Sequence, residues 1–177
     1  MSGYTEVLYV MFAMIIISTM ALNANRVVQV NNQTMVEGQL ERQVVAYSQD
    51  IIEESRALAF DENATYDENG NSIVPVYIPG GFSDLGPETG ETNRTLFNDF
   101  DDFDGYESTV TISGVEYDVS VDVDYVTTND YATYTTTNDK STLKRITVNI
   151  QTDFLQKNAT SGRTNYNFSF IRSYYAD

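Results

Sequence analysis

An uncharged apolar segment near the N-terminus constrains this chain more than any other feature. It runs from Val7 to Leu22, directly after Glu6, and reads VLYVMFAMIIISTMAL. As a helix it would be roughly 24 Å long, short of the roughly 30 Å hydrocarbon core of a bilayer. Three interpretations are a plain single-pass anchor, a buried helix of a soluble core, and a helix stored in the membrane and then packed among copies of itself. The second is disfavoured because nothing downstream is apolar enough to surround the segment.

The same helix is predicted to continue as an amphipathic segment from Val27 to about Phe60. Apolar residues recur there at intervals of three, four or seven, which is typical of a helix lying on a sheet. These residues are Met35 or Val36, Leu40, Val44, Tyr47, Ile51 and Leu58. The turn-forming stretch DENATYDENGNS ends the helix. At its start, Ser2 or Thr5 is a candidate N-cap, which would place Glu6 in the first turn, near the positive end of the helix dipole.

Residues 61–177 are predicted to form a β-rich head that begins with a long loop, 61–106. The loop holds every proline of the chain, and Pro75 favours an edge strand for the apolar residues around it. The clearest strand follows: apolar and mostly acidic residues alternate from Val115 to Tyr125, so that one face is apolar. Val110–Ile112 is its predicted hairpin partner across a tight turn at Ser113-Gly114.

Two further stretches with the same alternation, Ile146–Ile150 and Tyr166–Phe170, bring the predicted sheet to about four strands. The predicted fold class is therefore α+β, a long N-terminal helix with an apolar first half packed against a small antiparallel sheet. Three regions are expected: an apolar membrane or filament-core helix, 1–26; its amphipathic continuation, 27–60; and the head, 61–177.

The charge and residue content of the chain exclude several function classes. Of its 26 acidic and 10 basic residues, six and three lie in the helix up to Leu58, so 20 and 7 remain for the head. Such an acidic head opposes binding to phosphate backbones, and we predict no nucleic-acid partner. The chain has no cysteine and no histidine, which excludes disulfides, thiolate and imidazole catalysis and the usual zinc ligands. Only carboxylate chemistry remains, and the spacing of the acidic residues does not show that any two of them converge in a cleft; we predict no enzyme.

An acidic stretch before the first strand is a candidate calcium site. Asp102, Asp104 and Gly105 match the third, fifth and sixth positions of an EF-hand loop, but Phe100 and Thr111 occupy its first and twelfth positions, so that motif is absent. Two interpretations stay open: a solvated turn with Phe100 and Phe103 packed inward, and a looser calcium site. The candidate calcium ligands are Asp99, Asp101, Asp102 and Asp104. No other cofactor is predicted.

Five N-x-S/T sequences are candidate glycosylation sites, a number that a chain rich in Asn and Thr reaches partly by chance. Their asparagines are Asn32, Asn63, Asn93, Asn158 and Asn167.

The N-terminal sequence GYTEVLYVMFAMIIISTMALNANR, with an acidic residue before an apolar helix, an amphipathic continuation and a small sheet, resembles bacterial type IV pilins and pseudopilins. The segments Asn98–Tyr106 and Lys144–Ile150 resemble sequences of minor pilin-like proteins. The resemblance implies a homo-oligomeric helical filament on the cell surface, whose subunits wait in the inner membrane and are assembled by pilus machinery. The alternative is a single-pass membrane-anchored surface module for binding or adhesion.

The resemblance also implies which residues assemble the filament. The family places a glutamate fifth in the mature chain; removal of Met1 would make Glu6 fifth, whereas a leader ending at Gly3 would make it third. In a packed bundle Glu6 would be buried and would need a positive partner such as a terminal amine. The candidate assembly residues are Glu6, Val7, Val10, Phe12, Met14, Ile16, Ile17, Met20 and Leu22.

Overall fold

The computed structural model describes residues 2–65, 71, 73–153 and 163–176 of the chain. The architecture is α+β, a long N-terminal helix and a five-stranded antiparallel sheet, which confirms the predicted fold class. The elements are α1 (Ser2–Ala57), β1 (Tyr106–Ile112), β2 (Val115–Thr127), β3 (Thr135–Thr136), β4 (Leu143–Thr152) and β5 (Thr164–Ser173).

The chain divides into two compact units, Met1–Arg42 and Gln43–Asp177. The described part of the first unit is helix α1 alone, which continues without a break into the second unit. The second unit holds the last turns of α1, the loop after the helix and the sheet. We call this second unit the head from here on.

The sheet is built from hairpins whose register follows the predicted alternation. The strand order is β1-β2-β4-β5, and the short β3 pairs with the end of β2. All pairs are antiparallel, with Val119 opposite Ile150 and Ile146 opposite Phe170. The predicted tight turn between β1 and β2 is present: Ser113 and Gly114 both have positive φ, 53° and 82°. Positive φ at both central residues suits a two-residue hairpin turn in twisted strands.

One face of this sheet forms the core of the head. Alternate residues of β2 and β4 are less than 5% exposed, namely Tyr117, Val119, Val121, Val123, Tyr125, Ile146, Val148 and Ile150. The last turns of α1 supply the opposing buried residues, Val44, Ser48, Ile51 and Ser55.

The buried face of α1 differs in part from the set of apolar residues predicted to lie on the sheet. Ser48 and Ser55 lie on the buried face, and each donates its hydroxyl hydrogen to a carbonyl of its own helix, at 2.8 Å. A serine bonded in this way needs no other partner and takes little space between helix and sheet. Tyr47 and Leu58 are only half-buried, and Met35 is exposed.

Truncation of Ile51 tests the packing of helix against sheet. Ile51 is fully buried, and we expect Ile51→Ala to lower the free energy of unfolding by about 2–5 kcal/mol because it leaves a cavity. Ile73 is 42% exposed, so Ile73→Ala is the matched control and should change stability far less. Urea unfolding of the detergent-solubilised chain, followed by circular dichroism, measures both values. Equal values for the two variants would contradict this packing.

The loop between α1 and β1 contains three short 3-10 helices, Glu62–Ala64, Arg94–Leu96 and Asp101–Phe103. The edge strand predicted around Pro75 is wrong: residues 73–78 form no strand, and a turn follows in which Gly81 N–H donates to Tyr77 O at 2.6 Å. Pro75 and Pro79 have no N–H group to offer a neighbouring strand, so this segment lacks a ladder donor at these two positions.

Arg94 ties this loop to the helix. Its guanidinium forms ion pairs with Asp50, at 3.1 Å, and with Glu54, and it lies 5.9 Å from the ring centre of Phe103.

Candidate functional site

The predicted assembly residues are exposed along the first unit of the structure. The apolar stretch of α1 is not buried by any part of the described chain. By length and composition this helix could cross a membrane. The apolar assembly residues are 55–70% exposed, and they are Val7, Val10, Phe12, Met14, Ile16, Ile17, Met20 and Leu22. This stretch of helix therefore presents apolar side chains that the described chain does not cover.

Glu6 is also exposed, one residue before the apolar segment. The predicted capping of the helix is wrong, since α1 already begins at Ser2 and both Ser2 and Thr5 lie inside it. Glu6 is consequently in the second turn, where the effect of the helix dipole on a carboxylate is weaker than in the first. Dipole stabilisation thus gives little reason for a glutamate at this position.

A buried lysine occupies one end of the apolar sheet face. Lys144 is fully buried and stands opposite Tyr125 of β2. Its Nζ donates hydrogen bonds to Phe60 O and Asp61 Oδ2, each at 2.9 Å, and to Asp101 Oδ1. It also lies 4.7 Å from the ring centre of Phe60. One cation thus joins the two ends of the loop between α1 and β1 to the sheet.

Arg172 of β5 lies beside Lys144 in the sheet register and binds the end of α1. One of its guanidinium nitrogens donates to the carbonyls of Leu58, at 2.9 Å, and Ala59, at 3.0 Å, and more weakly to that of Ser55. The last carbonyls of a helix lack intrahelical partners and carry partial negative charge. Arg172 therefore binds the two residues that follow α1, together with the last turn of the helix, and attaches them to the sheet.

Five carboxylates from three loop segments form two overlapping groups, and one of them, Asp99, interacts electrostatically with Lys144. We call them the acidic cluster: Glu62, Glu88, Glu91, Asp99 and Asp102. They form two groups that share Glu88, one with Glu62 and Asp99, the other with Glu91 and Asp102. Within each group, one carboxylate oxygen from each residue lies within 4.8 Å of the others. Such groups are close enough to hold a metal ion.

The two aspartates of the cluster hold their own turn together with one oxygen each. Asp99 Oδ1 accepts from the N–H groups of Asp101, at 2.9 Å, and Asp102, at 3.2 Å. Asp102 Oδ2 accepts from the N–H groups of Asn98, at 2.7 Å, and Asp99, at 2.9 Å. The second oxygens, Asp99 Oδ2 and Asp102 Oδ1, are buried and have no hydrogen-bond partner among the described residues.

Burial and the charges of neighbouring carboxylates raise the pKa values of Glu88 and Asp99, two members of the acidic cluster. Burial, followed by the charges of Asp102 and Glu62, raises the pKa of Glu88 to about 8. Burial, followed by the charges of Asp101 and Asp102, raises the pKa of Asp99 to about 9, although Lys144 acts in the opposite direction. Both shifts mean that the ionised forms of these two carboxyl groups are disfavoured in the surroundings that the fold gives them.

The structure separates the four aspartates that the sequence grouped as candidate calcium ligands. Asp99 and Asp102 lie in the acidic cluster, but Asp101 pairs with Lys144. Asp104 Oδ1 accepts from Val123 N–H at 2.8 Å and so fastens the loop to β2.

The alternative interpretation, a solvated turn over two inward-facing phenylalanines, is right only about the phenylalanines. Phe100 and Phe103 are fully buried. Asp99, Asp101 and Asp102 are buried as well, so this turn is not solvated.

Among the candidate glycosylation sites, Asn158 lies outside the described residues. Asn32, Asn63, Asn93 and Asn167 are exposed. Two of these side chains take part in local structure: Asn63 Nδ2 donates to Gly81 O at 3.0 Å, and Asn93 Oδ1 accepts from Thr95 N–H at 3.2 Å.

Comparison with protein-family models, with curated proteins and with solved structures finds no match for this chain.

The sequence analysis did not identify the buried cation, Lys144, or three members of the acidic cluster. A signal for Lys144 existed, because alternate residues of a strand share a face and Lys144 lies on the same face as the inward residues Ile146, Val148 and Ile150. Glu62, Glu88 and Glu91 carry no local signal beyond the density of acidic residues in their loop.

Proposed function

We propose that this protein is a structural subunit of an extracellular, type IV pilus-like filament that polymerises through its N-terminal helix. The supporting observation is the apolar segment from Val7 to Leu22, which none of the described chain covers. Copies of the segment packed side by side would bury these side chains from water and lipid.

The proposal also explains why one helix contains the apolar segment and contributes its last turns to the head. Helix α1 carries the apolar residues at its start and, from Gln43 onward, packs against the sheet. Assembly of the helices into a dry central bundle would therefore place one head outside for each subunit. The subunit waits in the inner membrane before pilus machinery assembles it.

A membrane-anchored surface module for binding or adhesion is the second candidate, since the same helix meets the length and hydropathy of a membrane span. Mechanical shearing of cells distinguishes the two. A filament subunit should be released as the intact chain, helix included, in extracellular fibres of high molecular weight. A tethered module should remain with the membrane fraction, and that result would refute the filament.

Glu6 is proposed to set the register between neighbouring helices. Subunits of a helical filament repeat one non-closing contact, and aliphatic side chains alone slide past one another with little penalty. An ionised carboxylate in a dry bundle costs several kcal/mol, and this cost is relieved only in the stagger that brings a positive group within about 4 Å. The free N-terminal amine of the same or the adjacent chain is the proposed partner.

We expect Glu6→Gln to slow filament assembly about tenfold or more while leaving the unfolding of the head unchanged. Glu37→Gln, on the same helix beyond the apolar segment, is the matched control. Fibre mass as a function of time measures assembly, and mass spectrometry of the fibres should find a free N-terminus. A fibre map with Glu6 more than about 6 Å from every amine and guanidinium would exclude this role.

A further inference from the structure

We infer that the acidic cluster of the head is a calcium site, with Glu88 as the ligand common to its two groups. This inference is independent of filament assembly, because it rests only on residues of the head.

The spacing of the carboxylates fits the first coordination shell of this ion. Calcium binds oxygen at 2.3–2.6 Å, so two ligands on opposite sides of one ion lie roughly 4.8 Å apart. All three oxygens of each group lie within 4.8 Å of one another. Each group is therefore close enough to hold a single ion.

Buried atoms without partners are the second observation. Asp99 and Asp102 are fully buried, and the free oxygen of each has no hydrogen-bond partner in the described chain. Glu62 Oε2 and Glu88 Oε2 are likewise buried atoms without a hydrogen-bond partner among the described residues, although the two residues as a whole are only half-buried. Buried polar atoms of native proteins nearly always have a partner, and an ion is one that satisfies several carboxylates at once.

The charge of the surroundings leads to the same conclusion. Lys144, the buried cation nearby, already pairs with Asp61 and Asp101, so its single charge is shared between two other carboxylates. A divalent cation among the five carboxylates of the acidic cluster would offset the negative charge that Lys144 leaves unpaired.

The donor set selects the class of ion. Carboxylate oxygens alone favour a hard cation over zinc or copper, which prefer nitrogen or sulfur. Magnesium demands near-octahedral geometry at 2.0–2.1 Å and retains several waters. Calcium accepts six to eight oxygens in flexible geometry and so suits carboxylates from several loop segments.

Binding would connect three segments that the sequence separates widely. Glu62 lies in the 3-10 helix just after α1, Glu88 and Glu91 lie in the turn before Arg94, and Asp99 and Asp102 lie just before β1. The ion is thus expected to stabilise the loop of the head against opening.

Thermal unfolding of the full chain in detergent tests the site, with ionic strength held constant by sodium chloride. Calcium at 100-fold above its Kd should raise the Tm by about 10 °C over the value in EGTA. Glu88→Gln should lose this increase while remaining at least as stable as the native chain in EGTA, because an uncharged amide replaces a carboxyl group that is crowded by other carboxyl groups. Glu107→Gln, an exposed glutamate of β1, should keep the full increase. Glu62→Gln is a second ligand variant and should weaken calcium binding in equilibrium dialysis by about tenfold or more.

Three results would overturn the assignment. The first is an equal Tm in calcium and EGTA for the native chain. The second is an equal calcium-dependent increase in Glu88→Gln and Glu107→Gln, which would mean that calcium only screens the acidic surface. The third is the same increase with magnesium at the same concentration, which would exclude selectivity for calcium.

Discussion

Lys144→Met should destabilise the head by about 3–5 kcal/mol, a large part of the stability of a domain of this size. The reason is the charge that the substitution leaves behind. Asp61 and Asp101 are buried with the lysine, and without its ammonium group two carboxylates would face each other in the core. Methionine fills a similar volume, so the loss reports the missing charge rather than a cavity.

Urea unfolding of the full chain, monitored by circular dichroism, gives the change in free energy. Lys140→Met is the matched control: Lys140 pairs with Asp84, whose side chain is 99% exposed, and we expect a change within about 1 kcal/mol. Adding Asp61→Asn and Asp101→Asn to Lys144→Met should restore part of the stability, because these changes remove the unpaired charges. An equal loss of unfolding free energy in Lys144→Met and Lys140→Met would show that the buried ion pairs of Lys144 contribute no more to stability than the ion pair of Lys140.

Ile16→Asp should abolish filaments. Ile16 lies in the middle of the apolar segment, and an aspartate near the centre of a membrane helix costs about 2.5–3.5 kcal/mol. In a filament the same contact repeats at every subunit, so this penalty recurs along the whole fibre. The head is remote in sequence from the change and should unfold as before.

Two variants separate the charge from other effects in this experiment. Ile16→Leu keeps the apolar character and nearly the volume, and should form normal fibres. Asn25→Asp adds the same charge to the same helix beyond the apolar segment and should interfere much less. The amount of each variant in the membrane before shearing must be measured, so that failure to insert is distinguished from failure to assemble. Normal fibres from Ile16→Asp would refute a dry helical bundle.

Patterns that repeat along the chain were predictable because each depends on neighbouring residues only. The apolar segment up to Leu22 gave a helix, and the alternation from Val115 to Tyr125 gave a half-buried strand. The hairpin at Ser113-Gly114 followed from the tight turn between two alternating stretches. The error at Pro75 came from judging a short apolar stretch by its residues, although a strand also needs a partner to accept its hydrogen bonds.

The sequence by itself determined that an apolar helix precedes an acidic β-rich head without cysteine or histidine, since composition and periodicity carry that information directly. The tertiary structure alone decided which acidic residues of the loop are solvated and which are buried. Asp99 and Asp101 are two residues apart, yet one joins the acidic cluster and the other pairs with Lys144. Whether a carboxylate is buried, and what it pairs with, depend on the groups that the fold brings within a few ångströms of it. Glu62, Glu88 and Asp99 approach one another from distant parts of the chain, which local sequence patterns do not reveal.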